Sequence, residues 1–169
     1  MSSDCSTRRP NPRVLALTTV RVLALLSGLA AVAWASGRPF VFPSLGPSAY
    51  ALAVSPSAAT SQQRRVVGGH VWGLAGGLIA YHLLVPGFDI TAPPPALSPG
   101  GLLLAASALL SVGVTTAGML ATDLRHPPAC ATTLIVALGL LTTPVEAVIV
   151  LLSVVGLVGV DRLLPDVPP

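Results

Sequence analysis

Few side chains in this sequence can do chemistry, and those few sit where the chain should break. His126 is followed by Pro127 and Pro128, then by Ala129, Cys130, Ala131, Thr132 and Thr133. Ser44, Gly46, Pro47 and Ser48 form a similar apolar, proline-broken run, with Pro47 lying 80 residues before Pro127. A proline inside a helix removes a donor and clashes with the preceding turn, so each run should end irregular chain and open a short helix. One is expected to open at Ser44 or Gly46 with Pro47 in its first position, the other at Ala129. A helix opened in this way leaves its first N–H groups without intrahelical partners and carries partial positive charge at that end. The free groups are expected at about Ser48 to Tyr50 and Ala129 to Ala131, beside the hydroxyls of Ser44, Ser48, Thr132 and Thr133. In an apolar medium such an end suits a small anion, whose unpaired transfer out of water costs on the order of tens of kcal/mol.

His126, at the mouth of the second short helix, can donate to an anion or take up a proton, since imidazole is the side chain that titrates nearest neutral pH. Its plainer role is a cap at the membrane interface. His70 and His82 fall on one long helix about three turns apart, too far to share a metal, and read as packing or interfacial residues, His70 being the better functional candidate. Asp123 and Arg125 should pair locally, and Glu146 should cap the helix it opens. Cys5 lies in a polar tail and Cys130 in an apolar stretch, so they form neither a disulfide framework nor a metal site. With no G-x-S-x-G, H-E-x-x-H or G-x-x-x-x-G-K, an enzyme would lack a catalytic pair, and no metal or cofactor is expected. The candidate substrate-binding set is Ser44, Gly46, Pro47, Ser48 and His70, with His126, Pro127, Pro128, Ala129, Cys130, Thr132 and Thr133 from the second run.

The elements that must position these residues are membrane helices. Of 169 residues, 53% are hydrophobic and 9% charged, against about 25% charged in an ordinary soluble domain, and the mean hydropathy is +0.81. Sixteen Gly and 17 Pro in so apolar a chain mark tight packing and broken helices rather than a disordered linker. The nine basic residues are all Arg, the net charge is +3, and no basic stripe is interleaved with aromatics, which excludes nucleic acid as a partner. Four segments are long enough to cross about 30 Å of hydrocarbon: Val14 to Ala35, Val66 to Val85, Gly101 to Ala121 and Val145 to Val160. Arg21 lies near enough to the start of the first to snorkel, and Trp34 marks the opposite interface. A cleaved signal peptide is the weaker reading of that segment, because Pro10 and Pro12 spoil a twin-arginine pattern at Arg8-Arg9 and the apolar stretch exceeds a signal core. The third segment, rich in Ala, Ser, Thr and Gly, belongs in the bundle interior. Gly69, Gly73 and Gly77 line one face of the second, packed either within the protomer or at a subunit contact of a homo-oligomer.

An extended arm to about Leu45 and a short helix lie between the first two long segments, and polar Ser55 to Arg65 follows. Asp123 to Pro128 and a short helix over Ala129 to Leu141 lie between the last two. The order long, short, long thus occurs twice, in halves of about 14–85 and 101–164, with tails at 1–13 and 165–169. If each short segment also crosses, every half crosses an odd number of times and the second is inverted relative to the first. The expected fold is all-α and polytopic, with four full-length transmembrane helices and two Pro-broken short helices in an inverted 3+3 repeat. Six crossings in a plasma (inner) membrane, with both termini cytoplasmic, place Arg8, Arg9, Arg13, Arg64, Arg65, Arg125 and Arg162 inside and only Arg38 outside. Re-entrant short segments would instead put Arg64 and Arg65 outside.

Three motifs in order, Phe42-Pro-Ser-Leu-Gly-Pro-Ser48, Gly68-Gly-His70 and His126-Pro-Pro128 followed by Ala-Cys-Ala-Thr, resemble the HPP family of small integral membrane proteins. The resemblance runs from about Thr18 to Leu164. That family is described with four transmembrane helices, and its plastid members are implicated in nitrite transport, so the resemblance implies a permease for nitrite or a similar small monovalent anion. Two rivals remain: a non-transporting membrane anchor or regulatory module for a partner protein, and an intramembrane enzyme using His126.

Overall fold

The computed structural model describes residues 11–165, which form six α-helices and one 3₁₀ turn. Cys5, Arg8 and Arg9 lie outside the described residues. The long helices are α1 (Pro12–Ser36), α3 (Gln63–Leu84), α4 (Pro99–Ala121) and α6 (Pro144–Leu163); the short ones are α2 (Leu45–Val54) and α5 (Ala129–Ala137). Local signals set most ends. Asn11, Ser98 and Thr143 each cap a helix through a side-chain oxygen, with Pro12, Pro99 and Pro144 placed just inside, where a missing N–H costs nothing. Glu146 completes a capping box with Thr143, as expected. Gly37, at φ 61°, closes α1 in the left-handed conformation that favours glycine.

Both short helices differ from expectation at one end. α2 starts at Leu45, so Pro47 is its third residue rather than its first; a first turn needs no N–H from that position. α5 stops at Ala137 instead of Leu141. Leu138 caps it, and Gly139 turns at φ 90° against the Phe88 carbonyl, so closely that a Cβ would overlap that backbone. The Ile90 N–H also bonds the Leu138 carbonyl at 3.0 Å.

Three of the four expected full-length spans, α1, α4 and α6, are long and apolar enough to cross a membrane. The fourth, α3, has the length, 22 residues, but falls short in apolarity. Five of its residues are Gly, and Gln63, Arg64, Arg65, His70 and His82 gain nothing from lipid. Its surroundings explain the composition: α3 is central, packed by α4, α5, α6 and the 3₁₀ turn (Ala59–Ser61). Gly69, Gly73 and Gly77 all face α5 inside the protomer. A Cβ at Gly73 would stand 2.7 Å from the Ala129 carbonyl oxygen, and one at Gly77 would stand 2.9 Å from that of Thr133. Gly76 does the same for α4, where a Cβ would lie 2.9 Å from the Ser111 carbonyl oxygen. Without a hydrophobic drive between helices in lipid, such close backbone packing is what holds them together. The large apolar side chains left exposed, among them Leu15, Leu23, Leu83, Leu102, Leu109 and Leu152, form the lipid-facing exterior.

Ion pairs and polar bonds tie the helix ends into two sets. Arg65, at the start of α3, pairs with Asp123, just beyond the end of α4; Arg162, at the end of α6, bonds Gln63; Arg21, in the first half of α1, pairs with Asp161 near the end of α6 at 2.9 Å. The Phe88–Gly139 contact lies at the opposite end, after α3 and after α5. The chain therefore reverses at every connection, the short segments included. Arg21 finds protein partners at that end: its side chain is 4% exposed, is paired with the Asp161 carboxylate on a neighbouring helix and also donates to the Pro165 carbonyl at 2.8 Å. Asp123 keeps the expected contact with Arg125, at 3.4 Å, but its shorter bond goes to Arg65.

Candidate functional site

The first turns of α2 and of the α5 segment converge on the wall of α3 about a third of the way along it. Glycines at 69 and 73 let the second broken segment approach α3 closely, and this brings His126 and Thr132 alongside His70. Ser44 and Ser48, one turn apart on α2, close the group. Ser44, Ser48, His70 and His126 are wholly buried, and Thr132 is 1% exposed. The two imidazole centroids lie 5.3 Å apart.

One fixed point orients the whole network. Nδ1 of His126 lies 2.8 Å from the Thr60 carbonyl oxygen, which can only accept, so Nδ1 carries the proton. In the neutral ring Nε2 is then an acceptor, and the Ser48 hydroxyl, 3.0 Å away, donates to it. With its proton so used, Ser48 Oγ accepts the Nε2–H of His70 at 3.0 Å. Nδ1 of His70 becomes the acceptor for the Thr132 hydroxyl at 2.7 Å, and Thr132 accepts from Ser44 at 2.6 Å. Five hydrogen bonds thus point one way, from Ser44 to the Thr60 carbonyl. A single contact lies off the line: Ser48 Oγ is also 3.0 Å from the Ser44 carbonyl oxygen, one turn back on its own helix. In a water-poor interior each unpaired member of such a network would cost about 1–3 kcal/mol, so the arrangement is held by mutual satisfaction.

Of the sequence candidates, Ser44, Ser48, His70, His126 and Thr132 come together. Thr133 is buried but belongs to the seam of α3, α4 and α5, where it bonds Thr115 at 2.7 Å and the Gly73 carbonyl at 3.1 Å. Ala129 packs beneath the cluster, against the glycines of α3. Gly46, Pro47 and Pro127 do not join it: Pro47 and Pro127 are exposed, and a Cβ at Gly46 would meet nothing within 4 Å. Pro128 and Cys130 are partly exposed. The free N–H groups expected at the helix openings are also occupied. Those of Ala129, Cys130 and Ala131 bond the carbonyls of His126, Pro127 and Pro128 at 3.0, 3.0 and 3.1 Å, and Ser48 N–H reaches the Ser44 carbonyl at 3.4 Å. What the site presents is hydroxyl and imidazole rather than bare backbone. Sequence reading missed Thr60, which acts through its carbonyl and leaves no side-chain signature. It also missed Thr115, although Ser107, Ser111 and Thr115 recur every fourth residue on α4 and all are buried.

A small all-α membrane domain, in which two broken helices and one glycine-rich helix enclose a buried pair of histidines, is the class of protein that this fold and site define. The family model for the HPP transmembrane region matches residues 7–165, and the chain belongs to that family. None of the curated proteins and none of the solved structures compared with it matches.

Proposed function

We propose that this protein is a permease for a small monovalent anion, with nitrite the first substrate to test. The observation that carries the reading is the buried cluster of two imidazoles and three hydroxyls where both broken helices open. A membrane interior bears such a cost only where polar groups serve a path or a ligand, and intramembrane ionisable residues usually mark one. The hydroxyls of Ser44 and Thr132, which now donate to Thr132 and to His70, are the donors that turn toward an entering anion.

The transport reading carries an inverted 3+3 repeat. The reversal of the chain at each connection supports it, and so does the packing, since α1 with α2 corresponds to α4 with α5, and α3 with α4 to α6 with α1. In this reading α3 crosses the membrane with its glycines and His70 covered by its neighbours, while Val71, Ile79 and Leu83 face lipid. The end that carries Arg13, Arg64, Arg65, Arg125 and Arg162 faces the cytoplasm of a cell bounded by this plasma membrane. No enzymatic role and no cofactor are proposed; the partners are the anion and the bilayer.

The test is flux of nitrite, nitrate, formate and chloride into liposomes holding purified protein, at two pH values. Saturable uptake of one or more of these anions, above that of protein-free liposomes, is expected. Absence of any protein-dependent flux would leave a non-transporting anchor as the better reading.

A further inference from the structure

We infer that the anion is carried together with a proton, and that His126, Ser48 and His70 form the relay that takes it. The inference rests on the permease reading above and names the ion to which transport is coupled. Its basis is the position of one hydroxyl: Ser48 Oγ lies 3.0 Å from Nε2 of His126 and 3.0 Å from Nε2 of His70, with a third acceptor, the Ser44 carbonyl, also at 3.0 Å.

Three partners around one hydroxyl give the network more than one proton arrangement with the same heavy atoms. With both rings neutral, Ser48 donates to His126, as described above. When His126 gains a proton at Nε2, that N–H donates to Ser48 Oγ, and the serine proton swings to the Ser44 carbonyl. Nothing is orphaned, because that carbonyl stands ready. His70 takes its other tautomer when a proton entering at the Ser44 hydroxyl passes through Thr132 to Nδ1 while the Nε2 proton leaves to Ser48 and the serine proton to Nε2 of His126. Nδ1–H then donates to Thr132 and Nε2 is an acceptor. The serine proton then passes to His70 as the His126 proton passes to the serine. One N–H bond breaks and one forms, the serine ends with a proton as it began, and the positive charge has moved from one ring to the other. The Nδ1–H of His126 stays on the Thr60 carbonyl throughout, which fixes the ring that receives the proton.

Charge balance gives the relay its purpose. An anion in this interior needs a positive partner, and among the described residues no arginine supplies it: Arg21 is paired with Asp161, Arg65 and Arg125 with Asp123, Arg162 bonds Gln63, and Arg13, Arg38 and Arg64 are exposed. From the elements packed around the two rings, α2 contributes only Tyr50, which is exposed, and the 3₁₀ turn contributes no titratable side chain. The α4 helix has none, and α5 offers only Cys130, which is partly exposed. On α3, His82 is exposed and Tyr81 bonds the loop after its own helix. Glu146 is occupied in its capping box. Each imidazole therefore faces only the other, and a protonated ring is the one cation the site can make. Anion binding and proton uptake are then reciprocal, each strengthening the other.

The test uses the full chain in liposomes of neutral lipid, with the membrane potential clamped at zero by potassium and valinomycin and a pH dye in the lumen. An inward proton gradient should drive labelled nitrite to accumulate, with lumen acidification, beyond the nitrous-acid leak of protein-free liposomes. Nitrate, whose acid does not leak, is run beside it. Ser48→Ala keeps both rings and removes the bridge. The ratio of nitrite uptake with the proton gradient to uptake without it should fall at least tenfold, whereas exposed His82→Gln should behave as wild type. If Ser48→Ala does not purify as a folded protein, His126→Gln, which bonds but does not ionise, carries the same expectation. Anion flux that ignores the proton gradient and rises with an imposed potential overturns the inference and leaves the permease standing. Full coupling in either relay variant overturns it as well. No protein-dependent anion flux under any gradient overturns the permease reading and this inference together.

Discussion

At the scale of single residues, position within the polar network decides what a substitution costs. Thr132→Val keeps the shape of the side chain but strips His70 Nδ1 and the Ser44 hydroxyl of their shared partner. A loss of about 1–3 kcal/mol is expected, read as a lower melting temperature in detergent, together with at least a tenfold fall in anion flux. Cys130→Ser, two residues away and partly exposed, should change neither. Arg21→Gln acts by a different route. It leaves Asp161, whose side chain is 14% exposed, without its charged partner, a change that costs about 3–5 kcal/mol in a buried pair. Arg21→Gln combined with Asp161→Asn should recover part of that loss, and the folded fraction of each should transport normally, because the pair lies away from the histidines. A melting series on the two single variants and the double variant checks this.

At the scale of elements, α3 shows how glycine spacing becomes architecture. Gly73→Ala places a methyl group 2.7 Å from the Ala129 carbonyl oxygen, backbone that cannot yield without moving α5; overpacking of this kind costs about 1–3 kcal/mol. A Cβ at Gly113 on α4 meets nothing within 4 Å, so Gly113→Ala should be neutral or slightly stabilising, as the helix gains propensity. Thermal unfolding in detergent should separate the two variants. The same contrast marks what could be read from the sequence. The starts of α1, α4 and α6 were legible to within two residues, at Val14, Gly101 and Val145 against Pro12, Pro99 and Pro144, because each apolar run begins beside its opening proline. So were the breaks at Pro47 and at Pro127-Pro128, and with them the hydroxyls that meet there. The end of α5 was not, since it depends on the Phe88 carbonyl. The fate of Arg21 was not either, since Asp161 lies far along the chain. His70 was legible as a candidate but not as the centre, because its role comes from two segments that converge on it only in three dimensions.

At the scale of the whole molecule, alternating chain direction puts the polar 55–62 connection at one end and the 86–98 connection at the other. In a background with both native cysteines replaced by serine, a cysteine at Ala92 should react with an impermeant maleimide in intact cells. One at Gln62 should react only after the cells are opened; both positions are exposed. The reverse result would overturn six crossings in this orientation, since re-entrant short segments put Gln62 outside and Ala92 inside; labelling of both from outside would mean that α3 does not cross. The central place of α3 also bears on how the protein is made. Its closest neighbours, α4 and α5, are synthesised after it, yet it carries the glycines, histidines and arginines that lipid does not welcome. A nascent chain that ends before Ala137 therefore presents the translocon with a helix that has no shelter. Its insertion should wait for the later helices, so that chains truncated after Leu84 leave α3 extractable by alkaline carbonate while chains extended through Ala137 hold it in the bilayer.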